Sequence, residues 1–188
     1  MLSTLSGSVE LLDRALGYTR ARLADVRDDA LGRRTPCAAW TLADLLAHME
    51  DALDAFTEAA GGAVDVRPPA PAAAGRVAAL QEKACALLGA WTGPAPGDVV
   101  LVDREGGLDL DSSLLVATAA LEVTVHGWDV GQATGRPAPI PAGLARELLT
   151  VATSVLQTSD RGVRFAAPRP VPPGASDSAR LLAFLGRA

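Results

Sequence analysis

Apolar residues recur at helical spacing along most of this 188-residue chain. One such segment covers about residues 4–26, the next 41–60, a third 73–91 and a fourth 112–134. Residues three and four positions apart lie on one face of a helix, so each segment has an apolar stripe to bury. The spacing therefore predicts four main helices and a mainly all-α fold.

The amino-acid composition supports the same fold class. Hydrophobic residues make up 49% of the chain, but aromatic residues only 4%. Much of the apolar share is alanine and leucine, which favours close-packed helices over strands. A chain of this length can bury a core of its own, so we expect residues 1–188 to form a single domain.

Smaller elements are expected around the four helices. Residues 99–102 and 108–111 have the character of strands and flank a glycine-containing loop, which predicts a short β-hairpin between the third and fourth helices. Residues 141–156 and 176–185 are expected to form extra C-terminal helices. The prolines of residues 67–71 cannot continue a helix and predict an exposed, partly extended connection.

Charge and hydropathy exclude two classes of partner. The net charge is -5, and no cluster of basic residues is present that could follow a nucleic-acid backbone. No apolar run is long enough to span a membrane or to form a signal peptide, so we expect a cytoplasmic protein. In that compartment Cys37 and Cys85 should be reduced, and their separation matches no zinc or redox spacing, so both are interpreted as small hydrophobic residues.

One of the two histidines lies four residues after a glutamate. Glu122 and His126 fall on one face of the fourth helix, with Cβ atoms roughly 6 Å apart, which is close enough to share an ion. The other histidine, His48, lies in the second helix. Two histidines and a glutamate are a familiar zinc ligand set that leaves coordination positions open. Spacing alone equally allows a hydrogen-bonded Glu122–His126 pair without metal and an unrelated His48.

Two aspartates could orient the candidate ligands. Asp129 lies three residues after His126 and Asp44 four before His48, so each could accept the second ring proton of its histidine. Alternatively, both are solvated charges on helix surfaces. The ligand set would accept zinc, nickel or another first-row ion, and its open positions could take water for hydrolysis or a thiol for transfer and isomerisation.

Three segments, taken in order, resemble a known family: TPCAAW at residues 35–40, EVTVHGWD at 122–129 and LLAFLGR at 181–187. Together they resemble the DinB-like metal-binding superfamily, in the branch similar to the N-terminal domain of mycothiol-dependent maleylpyruvate isomerase. The resemblance implies a four-helix bundle in which His48, Glu122 and His126 bind a divalent metal, usually zinc. It also implies a low-molecular-weight thiol such as mycothiol as cofactor, and a homodimer is a further expectation because bundles of this family often pair.

The resemblance implies a kind of chemistry without naming the substrate. The isomerase has an additional C-terminal domain where this chain has a proline-rich strip and a short helix, so maleylpyruvate is not the substrate we expect. Our first expectation is a thiol-dependent S-transferase or isomerase that acts on a small electrophile. The alternatives are a metal- or ligand-binding stress-response module without turnover and a metal-dependent hydrolase.

Overall fold

The computed structural model describes residues 4–37, 39–65, 75–95, 98–103, 106–162 and 165–187. The chain divides into two compact units, Met1–Pro137 and Ala138–Ala188, which are described in turn. The expectation of a single domain stays a prediction. Within the described ranges, no helix combines the length and the apolar character needed to cross a bilayer.

Four main helices form most of the first unit. They are α1 (Leu5–Leu23), α2 (Leu42–Glu58), α3 (Arg76–Thr92) and α4 (Ser112–Thr134). The mainly helical fold class is confirmed, and α4 has the bounds that its apolar pattern predicted. The predicted start of the third helix at residue 73 and the predicted connection at residues 67–71 lie outside the described residues.

A capping box starts α2. The backbone N–H of Asp44 donates to Oγ1 of Thr41 at 3.3 Å, and the backbone N–H of Thr41 donates to Oδ2 of Asp44 at 2.9 Å. Two backbone donors at the helix start, which have no partner within the helix, are thereby satisfied. Because the box defines where α2 begins, it also determines the position of His48, about two turns further along.

Helices α1 and α4 run parallel and in close contact. The hydroxyl of Thr19 donates to the carbonyl of Val123 at 2.8 Å. Further along both helices, a Cβ on Gly131 would lie 3.4 Å from the side chain of Arg22. The side chain of Thr19 also occupies the space that a Cβ on Gly127 would need. The two glycines of α4 therefore let the two helices approach closely.

Helices α2 and α3 form a second parallel pair. An ion pair of 2.9 Å joins Arg76, at the start of α3, to Glu50 in α2. At the other end, the indole N–H of Trp91 donates to the carbonyl of Phe56 at 2.9 Å. From the first contact to the second, both helices advance towards their C-termini, so α2 and α3 are parallel.

A three-stranded sheet accompanies the helices. Its strands are β1 (Ala63–Asp65), β2 (Asp98–Asp103) and β3 (Gly106–Asp111), in the order β1-β2-β3. β2 and β3 form the antiparallel hairpin that the sequence predicted, in the register Asp98↔Asp111 to Asp103↔Gly106. β1 pairs with β2 in parallel and was not predicted, because three residues are too few to show an alternating pattern.

The second unit contains the two additional helices expected near the C-terminus, α5 (Ala142–Val155) and α6 (Asp177–Phe184). The side chain of Ser178 accepts a hydrogen bond from the backbone N–H of Ile140 at 3.1 Å. The guanidinium of Arg161 donates to the carbonyl of Phe184 at 2.8 Å. Both contacts tie α6 to the segments that flank α5.

Leucine is the most frequent core residue among the described residues of the first unit, but the most buried helix of this unit carries polar groups. Fully buried leucines are Leu11, Leu12, Leu42, Leu45, Leu46, Leu80 and Leu87. In α4 every residue from Val123 to Gly131 is buried, as expected for a helix surrounded by others. His126 and Asp129 lie within this stretch, and buried polar groups of this kind require partners. Those partners define the candidate functional site.

Candidate metal centre

Two helices bring three potential ligand atoms together. On α4, Nε2 of His126 lies 2.9 Å from Oε1 of Glu122, one helical turn earlier. From α2, Nε2 of His48 reaches the same carboxylate oxygen at 2.7 Å. The potential ligand atoms of these three residues all lie within 4.8 Å of one another. The structure thus places the three residues that the sequence singled out around one point.

The cluster is open on one side. The side chain of His126 is 8% exposed, whereas those of Glu122 and His48 are 27% and 37% exposed. A site that buries one ligand and leaves two accessible can admit a further small molecule. Three protein ligands with room for a fourth group is the arrangement of reactive rather than structural metal sites.

Asp129 holds the far side of the His126 ring. Its carboxylate is completely buried, and its Oδ2 lies 3.1 Å from Nδ1 of His126. An acceptor at Nδ1 keeps the ring proton on that nitrogen when the ring is neutral, which leaves the lone pair of Nε2 directed towards Glu122 and His48. The position of Asp129 agrees with the orienting role that its spacing suggested.

Asp44 does not have the orienting role that was suggested for it. Its carboxylate accepts hydrogen bonds from the backbone and the hydroxyl of Thr41, at 2.9 Å and 2.6 Å. The expectation that Asp44 accepts the second ring proton of His48 is therefore corrected. The capping box competes for the same carboxylate, and it uses both donors of a residue only three positions away.

Cys37 was interpreted as a small hydrophobic residue, but the structure gives it polar contacts. Its Sγ lies 3.5 Å from Oδ2 of Asp129, and Cys37, His126 and Asp129 form a second group of closely spaced potential ligand atoms. Cys37 precedes α2 and contacts Asp129, whereas His48 contacts Glu122, so α2 runs antiparallel to α4. The one sequence signal for Cys37 was its place in the TPCAAW segment.

Trp40 closes one side of the cluster. Its ring centroid lies 4.7 Å from that of His48 and 6.0 Å from that of His126. The two imidazoles are 5.0 Å apart and nearly perpendicular. An aromatic ring in this position restricts both imidazoles and shields them from water. Sequence reasoning assigned Trp40 no role, although it ends the same TPCAAW segment.

Glu122 and His126 shift each other's pKa values. Burial raises the pKa of Glu122, but the charge of His126 and the hydrogen bonds from both histidines outweigh burial and hold this pKa far below its ordinary value. Burial lowers the pKa of His126, but the charge of Glu122 and the hydrogen bonds with Asp129, Cys37 and Glu122 hold it well above 6.5. A proton at Nε2 of His126 occupies the place where a cation would bind, so protons and metal compete there.

The donor set fits a divalent ion. Two imidazole nitrogens and a carboxylate oxygen are ligands that zinc and other first-row ions accept. The carboxylate is ionised at neutral pH, since its pKa is lowered, and a buried second carboxylate supports one imidazole. A bound metal is typically held by such ligands when a further carboxylate contacts the non-coordinating nitrogen of a ligand histidine, as Asp129 does for His126.

Comparison with known proteins assigns the chain to a family. Residues 12–131 match the family described as the mycothiol maleylpyruvate isomerase N-terminal domain. The chain is 32% identical over 176 residues to the uncharacterized protein Rv0738 of Mycobacterium tuberculosis (strain ATCC 25618 / H37Rv), a match that covers 93% of this chain and 94% of that protein. The same values hold for the uncharacterized protein MT0763 of Mycobacterium tuberculosis (strain CDC 1551 / Oshkosh).

A solved structure has a similar fold. The crystal structure of the mycothiol-dependent maleylpyruvate isomerase matches with a TM-score of 0.55 and 20% sequence identity, over 78% of this chain and 68% of that chain. The family expected from the three sequence segments is thus confirmed by the family match, and the structural match shows the fold. The chain belongs to the family of the mycothiol maleylpyruvate isomerase N-terminal domain.

Proposed function

We propose that this protein is a metal-dependent enzyme that uses a low-molecular-weight thiol to modify or isomerise a small electrophile. His48, Glu122 and His126 would hold the metal, with zinc as the first candidate and nickel as an alternative. The observation that carries the proposal is the convergence of three ligand atoms from two helices within 4.8 Å, with two of the side chains accessible. Mycothiol is the first candidate thiol, since the family's name refers to it.

The residues of the site have distinct tasks in this proposal. Asp129 holds the proton at Nδ1 of His126 and so keeps Nε2 available as a ligand. Glu122 contributes a negative charge at the centre of the cluster, against both imidazoles. Trp40 covers the two imidazoles on one side and restricts the access of water.

The proposed reaction begins with a thiolate. A bound divalent cation lowers the pKa of a neighbouring thiol, so that the thiolate is available at neutral pH. The thiol proton passes to solvent, and the sulfur forms a C–S bond with the electrophilic carbon. In a transfer reaction a leaving group departs with the electron pair of its bond. In an isomerisation the addition breaks the π bond of a C=C and moves its electron pair onto a conjugated acceptor group. After rotation about the resulting single bond, the double bond re-forms and the thiolate leaves.

The proposal is tested by thiol binding followed by turnover. Calorimetric titration of zinc-loaded protein with mycothiol should show saturable binding, and Glu122→Gln should abolish it because the variant loses the charged ligand. Glu10→Gln, which changes an exposed glutamate of α1, is the matched control and should bind as the wild type does.

Turnover assays distinguish the proposed thiol-dependent enzyme from a binding module without turnover and from a metal-dependent hydrolase. With bound thiol, the protein should convert at least one member of a panel of small electrophiles. Tight thiol binding without any turnover would favour a binding module. Conversion that needs no thiol would favour metal-assisted hydrolysis, and either result would contradict the proposal.

A further inference from the structure

A half-open cavity adjoins the candidate metal centre. Its volume is about 710 Å³, and residues of α1, α2, α3 and α4 line it. Glu122 and His126 form part of its wall, but His48 does not. Because the side chain of His48 is itself 37% exposed, the ligand atoms have a second approach besides the cavity. Two approaches would let two small molecules reach the ligand atoms from different sides.

The cavity wall is mainly apolar. Beyond the metal centre it is formed by side chains such as Leu16, Leu23, Met49, Leu53, Leu80 and Leu88. The volume lies within the range of roughly 300–1,000 Å³ that small-molecule sites occupy. An apolar wall stabilises an apolar ligand in proportion to the surface removed from water. The cavity therefore favours a ligand that is largely hydrocarbon.

Few charges are available to compensate a charged ligand. Among the described residues of the wall, Arg20 is the one permanent cation, and Asp13 and Glu82 are acidic residues away from the metal centre. A carboxylate that enters an apolar cavity must lose its hydration, which costs several kcal/mol unless a partner replaces it. Away from the metal centre, these three side chains are together net negative, so that part of the wall does not balance the charge of an entering carboxylate. A dicarboxylate is therefore disfavoured.

We propose that this cavity binds an uncharged, largely apolar electrophile and is the substrate site of the proposed reaction. The inference rests on the proposed function, because it identifies the electrophile with the occupant of the cavity. The thiol then approaches from the exposed side of His48, and the electrophile reaches the same ligand atoms through the cavity. The substrate class follows from the wall of the cavity and its charges.

The test uses binding of the neutral fluorophore N-phenylnaphthylamine, which needs neither metal nor thiol. Wild-type protein should bind it saturably at a single site. Ala84→Trp on α3 and Ala52→Trp on α2 each introduce an indole at a position of the cavity wall, and each should weaken binding by about tenfold or more. Ala86→Trp, at an exposed position of α3 outside the wall, is the matched control and should bind as the wild type does.

Competition experiments on the metal-depleted wild-type protein, where no bound cation can take the carboxylate of a competitor, test the charge preference without any variant. Decanol should displace the fluorophore at a concentration at least about tenfold lower than decanoate. Equal or better displacement by decanoate would overturn the inference, and so would unchanged fluorophore binding in both cavity-filling variants or its absence from the wild type.

Failure of this inference can be told apart from failure of the proposed function. Fluorophore binding is measured on metal-depleted and on zinc-loaded protein. A protein that takes up neither metal nor thiol but binds the fluorophore would refute the proposed function and leave only the cavity's preference for uncharged, apolar ligands. A protein that binds metal and thiol but not the fluorophore would refute only the substrate class.

Discussion

Asp129 and Asp44 show how the partner of a side chain decides its role. Both are aspartates placed three or four residues from a histidine, yet one contacts an imidazole and the other caps a helix. The difference arises because Asp44 has two donors of Thr41 within reach, whereas Asp129 is buried beside Nδ1 of His126. Their substitutions should therefore have different consequences.

Replacement of Asp129 by asparagine should weaken metal binding. The amide removes the negative charge that supports His126, and loss of such a partner typically lowers metal affinity about ten- to a hundredfold. Competition with a chelator measures the change. Asp28→Asn, at an exposed position, serves as control and should leave the affinity as it is. Unchanged affinity in Asp129→Asn would show that His126 needs no carboxylate at Nδ1.

Cys37 offers a second test at the same scale. Its thiol lies against Asp129, so Cys37→Ala removes a polar contact from a buried carboxylate and should reduce stability by about 1 kcal/mol. Cys37→Ser retains a donor and should recover most of the loss, whereas Cys85→Ala, at an exposed position, should be neutral. Denaturant unfolding measures all three. Equal losses in the alanine and serine variants would mean that the thiol matters only for packing.

The N-terminus of α2 positions His48, and its capping box gives a pH-dependent prediction. The hydrogen bonds from the side chain and backbone of Thr41 lower the pKa of Asp44 below 3.8, although slight burial acts in the opposite direction. A lowered pKa means that Asp44 stabilises the fold above its unfolded pKa and loses this effect as the pH falls through its folded pKa.

Asp44→Ala should therefore be less stable than the wild type at neutral pH, and the difference should vanish once the pH lies below the folded pKa of Asp44. Denaturant midpoints at both pH values test this. The metal affinity of the variant should stay unchanged at neutral pH. If Asp44→Ala instead lost as much metal affinity as Asp129→Asn, Asp44 would have to orient His48 after all.

The close contact of α1 and α4 depends on Gly127, next to the candidate ligand His126. A Cβ at Gly127 would collide with the side chain of Thr19, so Gly127→Ala should cost about 1–3 kcal/mol of stability. Gly89→Ala changes a helical glycine of α3 with open space around it and should stabilise by about 0.5–1 kcal/mol. Denaturant unfolding compares the two. Equal effects would show that α1 and α4 can separate at no cost.

For the whole molecule, the fold was more predictable than the contacts within the site. The long helices were predicted because apolar periodicity is a local property that many residues repeat. The three residues of β1 were missed, since so short a strand depends on its neighbour β2. The contact of Cys37 with Asp129 joins residues 92 positions apart, and no local pattern encodes it.

His48, Glu122 and His126 were predictable for a different reason. The Glu122–His126 spacing is local, because one helical turn brings the two side chains together. The position of His48 needed the fold, and the family resemblance supplied it. Trp40 was missed because its role consists entirely of contacts with rings on other parts of the chain.

We expect His48, Glu122 and His126 together to bind one divalent metal ion. Elemental analysis of the purified protein beside its His48→Ala variant tests it most directly. We expect about one zinc or other divalent ion per wild-type chain and nearly none in the variant. Added zinc at a hundred times its dissociation constant should also stabilise the wild type by about 2.7 kcal/mol and leave the variant unchanged. A wild-type protein that takes up no divalent ion, or a variant that retains the full amount, would show that these three residues do not form a metal site.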